Sequence, residues 1–137
     1  MALAGPGANF ALVIIAAIVM RVGLALGAFK PANHFSFLNV VEPAATGLPE
    51  ALAVFFSLLF SLNLLLGTFN LIPAPPLDGF AAVGLLMPEN AARRWEEWGQ
   101  SLGMFTIFGL IIAWRIYDFL YAPIFISAFQ TLYAGVL

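Results

Sequence analysis

Between Ala51 and Leu77 the chain carries no charged residue, and that run closes on Pro73, Pro75, Pro76 and then Asp78-Gly79. Crossing the ~30 Å hydrocarbon core of a bilayer takes about 20 apolar residues at ~1.5 Å each. Proline then stops a helix, because its ring clashes with the preceding turn and it has no N–H to donate. The pattern therefore predicts a membrane-crossing helix over 50–72. It should be interrupted at Pro73 to Gly79, with helical structure resuming before Met87.

Two further stretches follow the same logic. From Ala8 to Phe29 the only charge is Arg21, which can snorkel towards the headgroups, and Lys30-Pro31 ends the stretch. A third helix is expected over 100–121. Trp95 and Trp98 precede it, and Trp114, Tyr117 and Tyr121 stand at its far end, as in aromatic belts at two interfaces. Arg115 and Asp118 share a face and are expected to neutralise each other. Pro123 is expected to break the chain, leaving a short C-terminal helix from 124 that reaches only about 21 Å. Pro31 to Pro49 reads as a loop, and Pro88 to Trp98 as a polar connection.

Composition agrees with the membrane. Hydrophobic residues make up 63% and charged residues 9%, against about 25% charged in soluble domains. The fold class expected is an all-α integral membrane protein with three transmembrane helices plus a short C-terminal helix, the second broken at its Pro-rich segment. One membrane domain is expected over 1–137, with a core part at 1–87 and additional C-terminal helices at 88–137. With no cysteine, disulfides and thiolate metal sites are excluded. A net charge of −2 and the absence of a basic run exclude a nucleic-acid partner. No Lys or Arg precedes the first apolar stretch, which does not read as a signal peptide.

Asp78 is the most informative residue. A carboxylate at membrane depth costs about 2.5–3.5 kcal/mol. Broken backbone there is tolerated only inside protein or against water. Both costs fall at one place, which suggests a buried polar site; the other reading is an ordinary interfacial turn with Asp78 in water. Ala4-Gly5-Pro6-Gly7-Ala8-Asn9 is the second such stretch. Small residues let membrane helices approach closely, so Gly5, Gly7 and Ala8 are expected to face protein, with Asn9 offering an amide on that face. On its residues alone it reads first as a small-residue helix-packing motif, with Asn9 making an interhelical hydrogen bond.

Together the two stretches resemble the site-2 protease family of intramembrane zinc metalloproteases. Ala4-Gly5-Pro6-Gly7-Ala8-Asn9 is similar to its small-Gly-Pro-x-x-Asn motif, and Asn70 to Gly79 resembles its Asn-x-x-Pro-x-Pro-x-Leu-Asp-Gly motif. The resemblance covers residues 1 to about 87. It implies that Asp78 is a zinc ligand on a locally unwound helix and that Asn70 engages substrate backbone. It also implies that Gly5, Pro6 and Asn9 pack beside the active site. It further implies peptide-bond hydrolysis in or near transmembrane segments, with membrane lipid and transmembrane protein substrates as partners and the cell membrane as location.

The family also carries His-Glu-x-x-His, whose histidines bind zinc while the Glu acts as base. This sequence has one histidine, His34, and only three residues before Ala4. His34 is expected on the far side of the second helix from Asp78, so it reads as a loop histidine. No catalytic base of the family's kind is present. Zinc is expected as cofactor of a complete protein and is not expected to bind tightly to this chain alone, since a catalytic site takes three protein ligands. The leading expectation is part of an intramembrane zinc metalloprotease, completed by an upstream segment bearing His-Glu-x-x-His. The alternative is a non-catalytic membrane protein, either a pseudoprotease binding membrane helices or a transporter component with a broken helix.

Overall fold

The computed structural model describes residues 3–135. Five α-helices and one β-hairpin follow in the order α1 (Ala4–Ala25), β1 (Phe29–Ser36), β2 (Asn39–Pro43), α2 (Leu48–Asn70), α3 (Asp78–Leu85), α4 (Glu89–Ser101) and α5 (Thr106–Tyr133), with a 3-10 turn at Gly103–Phe105 before α5. Three helical stretches are long and apolar enough to cross a membrane: Ala4–Ala25, Leu48–Asn70 and Gly103–Tyr133. Ile14, Ile15, Ile18 and Val22 are each more than half exposed along α1, an apolar surface of the kind that lipid covers.

The chain divides into two compact units. One holds the residues up to Ala8 with Leu66–Tyr121; the other holds Asn9–Leu65 with the residues from Ala122 on. In the second unit α1 stops earlier than its apolar run. Gly27 takes φ +74, Gly27 N–H donates to Leu24 O at 3.2 Å, and Ala28 N–H donates to Gly23 O at 2.9 Å. This paired closure needs a left-handed residue, which glycine adopts without steric cost.

The segment expected to be a loop is a two-stranded antiparallel hairpin, pairing Phe29 with Pro43 and Pro31 with Val41. The fold is therefore not purely helical. Val40 and Val41 are fully buried, and buried backbone must find partners. The Val40 and Val41 N–H groups both donate to Ser57 Oγ of α2, at 3.0 and 3.3 Å. Tyr133 Oη donates to Val40 O at 2.8 Å and accepts from Ala32 N–H at 3.3 Å. Asn33 and Glu42 close the exposed side through Asn33 N–H and Nδ2, at 2.9 and 3.0 Å. Arg21 does not simply reach outward: its guanidinium donates to the carbonyls of Thr131 and Ala134 at 3.4 and 2.8 Å, satisfying the end of α5.

Four further expectations are corrected. Pro123 lies inside α5 and no separate C-terminal helix forms. Proline forfeits one hydrogen bond, whereas ending the helix there would strand several backbone groups in apolar surroundings. Because α5 runs on, Trp114, Tyr117 and Tyr121 sit mid-helix rather than in a terminal belt. Tyr117 is buried, packs its ring edgewise on Phe69 at 5.2 Å, and shares a hydroxyl hydrogen bond with Thr68. Residues 89–101 are helical, as α4, rather than a polar connection. Arg115 and Asp118 are both exposed and do not pair; the ion pair among the described residues joins Arg93 and Glu89 at 3.7 Å on the surface of α4, where it adds little stability.

Ser57→Ala removes the shared acceptor of two buried N–H groups. It should lower the stability of the detergent-solubilised protein by about 1–3 kcal/mol, read from unfolding curves. Exposed Ser36→Ala should change it by less than about 0.5 kcal/mol.

Candidate functional site

The site is built where α2 ends. Asn70 is the last residue of α2, and Pro73 forbids a further turn. The chain then crosses residues 71–77 in turns: Ile72 N–H donates to Phe69 O at 3.1 Å, Ala74 N–H to Ile72 O at 2.8 Å and Leu77 N–H to Ala74 O at 2.9 Å. The Pro75-Pro76 peptide bond is cis. Each proline also pushes the residue before it out of the helical region. Helical structure resumes at Asp78, the first residue of α3. The expected interruption is therefore present, and α3 ends at Leu85, before Met87.

Gly79 explains how the chain re-enters a helix so soon. A Cβ there would collide with the Leu71 carbonyl group and stand 2.5 Å from Ile72 O. The first turn of α3 is thus pressed against the backbone that leaves α2, and only glycine leaves room for it.

Asp78 itself is half-buried. A Cβ at Gly5 would lie 2.7 Å from Asp78 Oδ2. The two short motifs, one at the start of α1 and one at the start of α3, therefore meet at a carboxylate oxygen. Pro6 is fully buried beside Gly5 in the first turn of α1, where its missing N–H costs the helix nothing. The remaining small residues behave differently. A Cβ at Gly7 would meet nothing beyond its own helical turn within 4 Å, and Ala8 is exposed. All three small residues expected to face protein are exposed, and only Gly5 among them closely approaches another part of the chain, at Asp78 Oδ2. Asn9 is half-buried and belongs to the other unit. Asn70 is half-buried at the end of α2, and His34 is exposed on β1.

Residues 88–98 contribute in a way the sequence reading missed. Trp95 stacks on Phe80 with ring centroids 4.5 Å apart and planes at 19°, and its Nε1–H donates to Phe80 O at 2.9 Å. A Cβ at Gly99 would come within 2.5 Å of the Phe80 ring. Trp98 closes the cluster at 5.4 Å from Trp95. Trp-x-x-Trp-Gly at helical spacing was the available signal. Beside this cluster and Pro75-Pro76 lies a cavity of 490 Å³ with an apolar wall and a polar edge at Glu96, Gln100 and Thr106.

The donor set decides whether zinc fits. A catalytic zinc takes three protein ligands and a water. Among the described residues no group of three His, Cys, Asp or Glu side chains comes together. The residues present therefore do not by themselves fit a zinc site.

Comparison with known proteins agrees with the motif geometry. Residues 1–113 match the profile of Peptidase family M50. The chain belongs to that family, the site-2 proteases. The match extends past the motifs, through α4 and into α5. The chain is also similar to YwhC of Bacillus subtilis (strain 168), a protein assigned by name to the zinc metalloproteases, at 29% identity over 112 residues. That alignment covers 82% of this chain and 44% of YwhC, so the chain spans less than half the length of that relative. No solved structure matches it.

The M50 turn makes a paired prediction. Gly79→Ala should destabilise the protein by about 1–3 kcal/mol through overpacking. Gly7→Ala, in open space on α1, should be tolerated within about 0.5 kcal/mol. Unfolding curves of both variants check the contrast.

Proposed function

We propose that this chain carries part of the catalytic centre of an intramembrane zinc metalloprotease of the cell membrane, cleaving peptide bonds in or near transmembrane segments of its substrates. Asp78 supplies one zinc ligand; the remaining ligands and the base come from a His-Glu-x-x-His segment outside these residues. The observation that carries this reading is the meeting of Gly5 with Asp78 Oδ2, which brings both M50 motifs of the chain to a single carboxylate. The missing side chain at Gly5 leaves space beside Asp78 Oδ2 that a Cβ would fill.

The neighbouring residues fit supporting roles. Asn70 places an amide, able to donate and accept, where α2 stops and the backbone is irregular. There it can hold an extended substrate backbone, which a transmembrane helix must expose before it can be cut. Gly5 and Pro6 shape the wall opposite Asp78. Asn9, in the same Gly-Pro motif, would pack beside the active site. When bound, zinc would supply Lewis acidity at the scissile carbonyl; Asp78 would contribute one of its ligands, and the other residues of this chain would position substrate and screen the broken backbone from lipid.

The test is zinc content and cleavage of a reporter transmembrane substrate, measured with this chain alone and with a co-expressed segment bearing His-Glu-x-x-His. Alone, the chain should retain no stoichiometric zinc and cleave nothing. With the segment, both should appear. Asp78→Ala should then abolish metal retention and cleavage together, whereas Asn70→Ala should slow cleavage with zinc still bound. Full activity with Asp78→Ala would overturn the assignment and leave the non-catalytic reading standing.

A further inference from the structure

Asp78 lies in the first turn of a helix of only 8 residues that begins without a side-chain cap. A helix so short is marginal alone, since nucleation is costly and each end leaves backbone groups unpaired. Its direction, and so the aim of the carboxylate, must come from contacts on its flank. The turn before it sets where α3 begins, through Gly79 against Leu71 and Ile72. That contact admits only the bare glycine and so limits how far α3 can turn, but it presents no side chain, and a second contact on the flank is needed to fix the aim of Asp78.

The flank contact is Phe80, two residues after Asp78 and buried. Three features of α4 hold it. The Trp95 indole covers the ring face, at 4.5 Å between centroids. The same indole donates Nε1–H to Phe80 O at 2.9 Å, tying side chain and backbone of one residue. Gly99 lets the ring edge seat against the backbone of α4, where a Cβ would stand 2.5 and 2.6 Å from Cε1 and Cζ. A ring gripped on its face, its edge and its own carbonyl cannot roll.

We infer that α4 is the positioning element of the Asp78 site: Trp95 and Gly99 lock Phe80, and thereby hold the Asp78 carboxylate against Gly5. Trp95 is a positioning residue and touches neither metal nor substrate. The bearing of this lock on catalysis rests on the protease reading above, but the geometry does not.

The test uses the absence of cysteine from the sequence. Gly5→Cys with Asp78→Cys forms a reporter pair at the site, and Asn33→Cys with Glu42→Cys forms a control pair on the hairpin, where those side chains meet at 3.0 Å. Bridging rates of both pairs are measured in membranes with a short thiol-bridging reagent. Trp95→Ala and Gly99→Val should each slow bridging of the 5/78 pair by about tenfold, a loss equivalent to ~1.4 kcal/mol of positioning. Trp95→Phe, which keeps a ring and loses the N–H, should fall between Trp95→Ala and the parent. The 33/42 pair should bridge at the parent rate throughout. Unchanged bridging at 5/78 overturns the inference, and so does equal slowing of both pairs, which would make Trp95 a general stability residue. In the zinc-loaded protein, full cleavage with Asp78→Ala would remove the protease reading while leaving the bridging result intact.

Discussion

The approach of Gly79 to the Leu71 and Ile72 carbonyls is the contact on which the rest of the candidate site depends. Backbone that leaves a helix inside an apolar protein strands polar groups, and each one costs free energy unless something accepts or donates. The prolines force α2 to stop. The chain answers by closing a run of short turns and restarting a helix at once, directly against the carbonyls it has just left. That packing leaves no volume for even a methyl group at 79. Asp78, next to it, is consequently placed at the mouth of the turn rather than along a helix face.

The two ends of the motif pair then play complementary parts. On α1, Gly5 removes the side chain that would have occupied the space at Asp78 Oδ2, and Pro6, next in sequence, is fully buried. On α4, a tryptophan and a glycine grip the residue that follows the Asp-Gly step. Two glycines at the site, 5 and 99, admit a neighbouring side chain. Gly79 admits backbone. In all three cases the absent side chain defines the geometry, and none requires unusual backbone torsions. Where torsion does matter, at Gly27, the consequence is local: α1 closes early enough for the hairpin to begin.

The hairpin shows the same polar constraint answered differently. Val40 and Val41 are buried, so their N–H groups need acceptors that the two-stranded ladder does not supply. One serine hydroxyl takes both, and Tyr133 secures the Val40 carbonyl. Polar side chains on apolar helices, Ser57 and Tyr133, thus serve the strands rather than their own helices. Arg21 does comparable work at the end of α5.

Much of this was legible in the residues. The three apolar helices, the break at Pro73 to Gly79 and the pairing of a Gly-Pro stretch with a Leu-Asp-Gly stretch follow from hydropathy, proline chemistry and motif, because each is a local property of a short segment. The loop at 31–49 and the connection at 88–98 were misread for one reason. Their structure is set by partners distant in sequence: Ser57 and Tyr133 for the first, Phe80 for the second. Proline at 123 was misread because its penalty is local while the gain from continuing the helix is collective. The sequence by itself determined which segments are apolar and that the second helix stops at Pro73. Only the tertiary structure decided that Gly5 meets Asp78 while Gly7 faces open space, and that α4 grips Phe80. Close approach depends on where two backbones lie in space, and sequence spacing does not encode that distance.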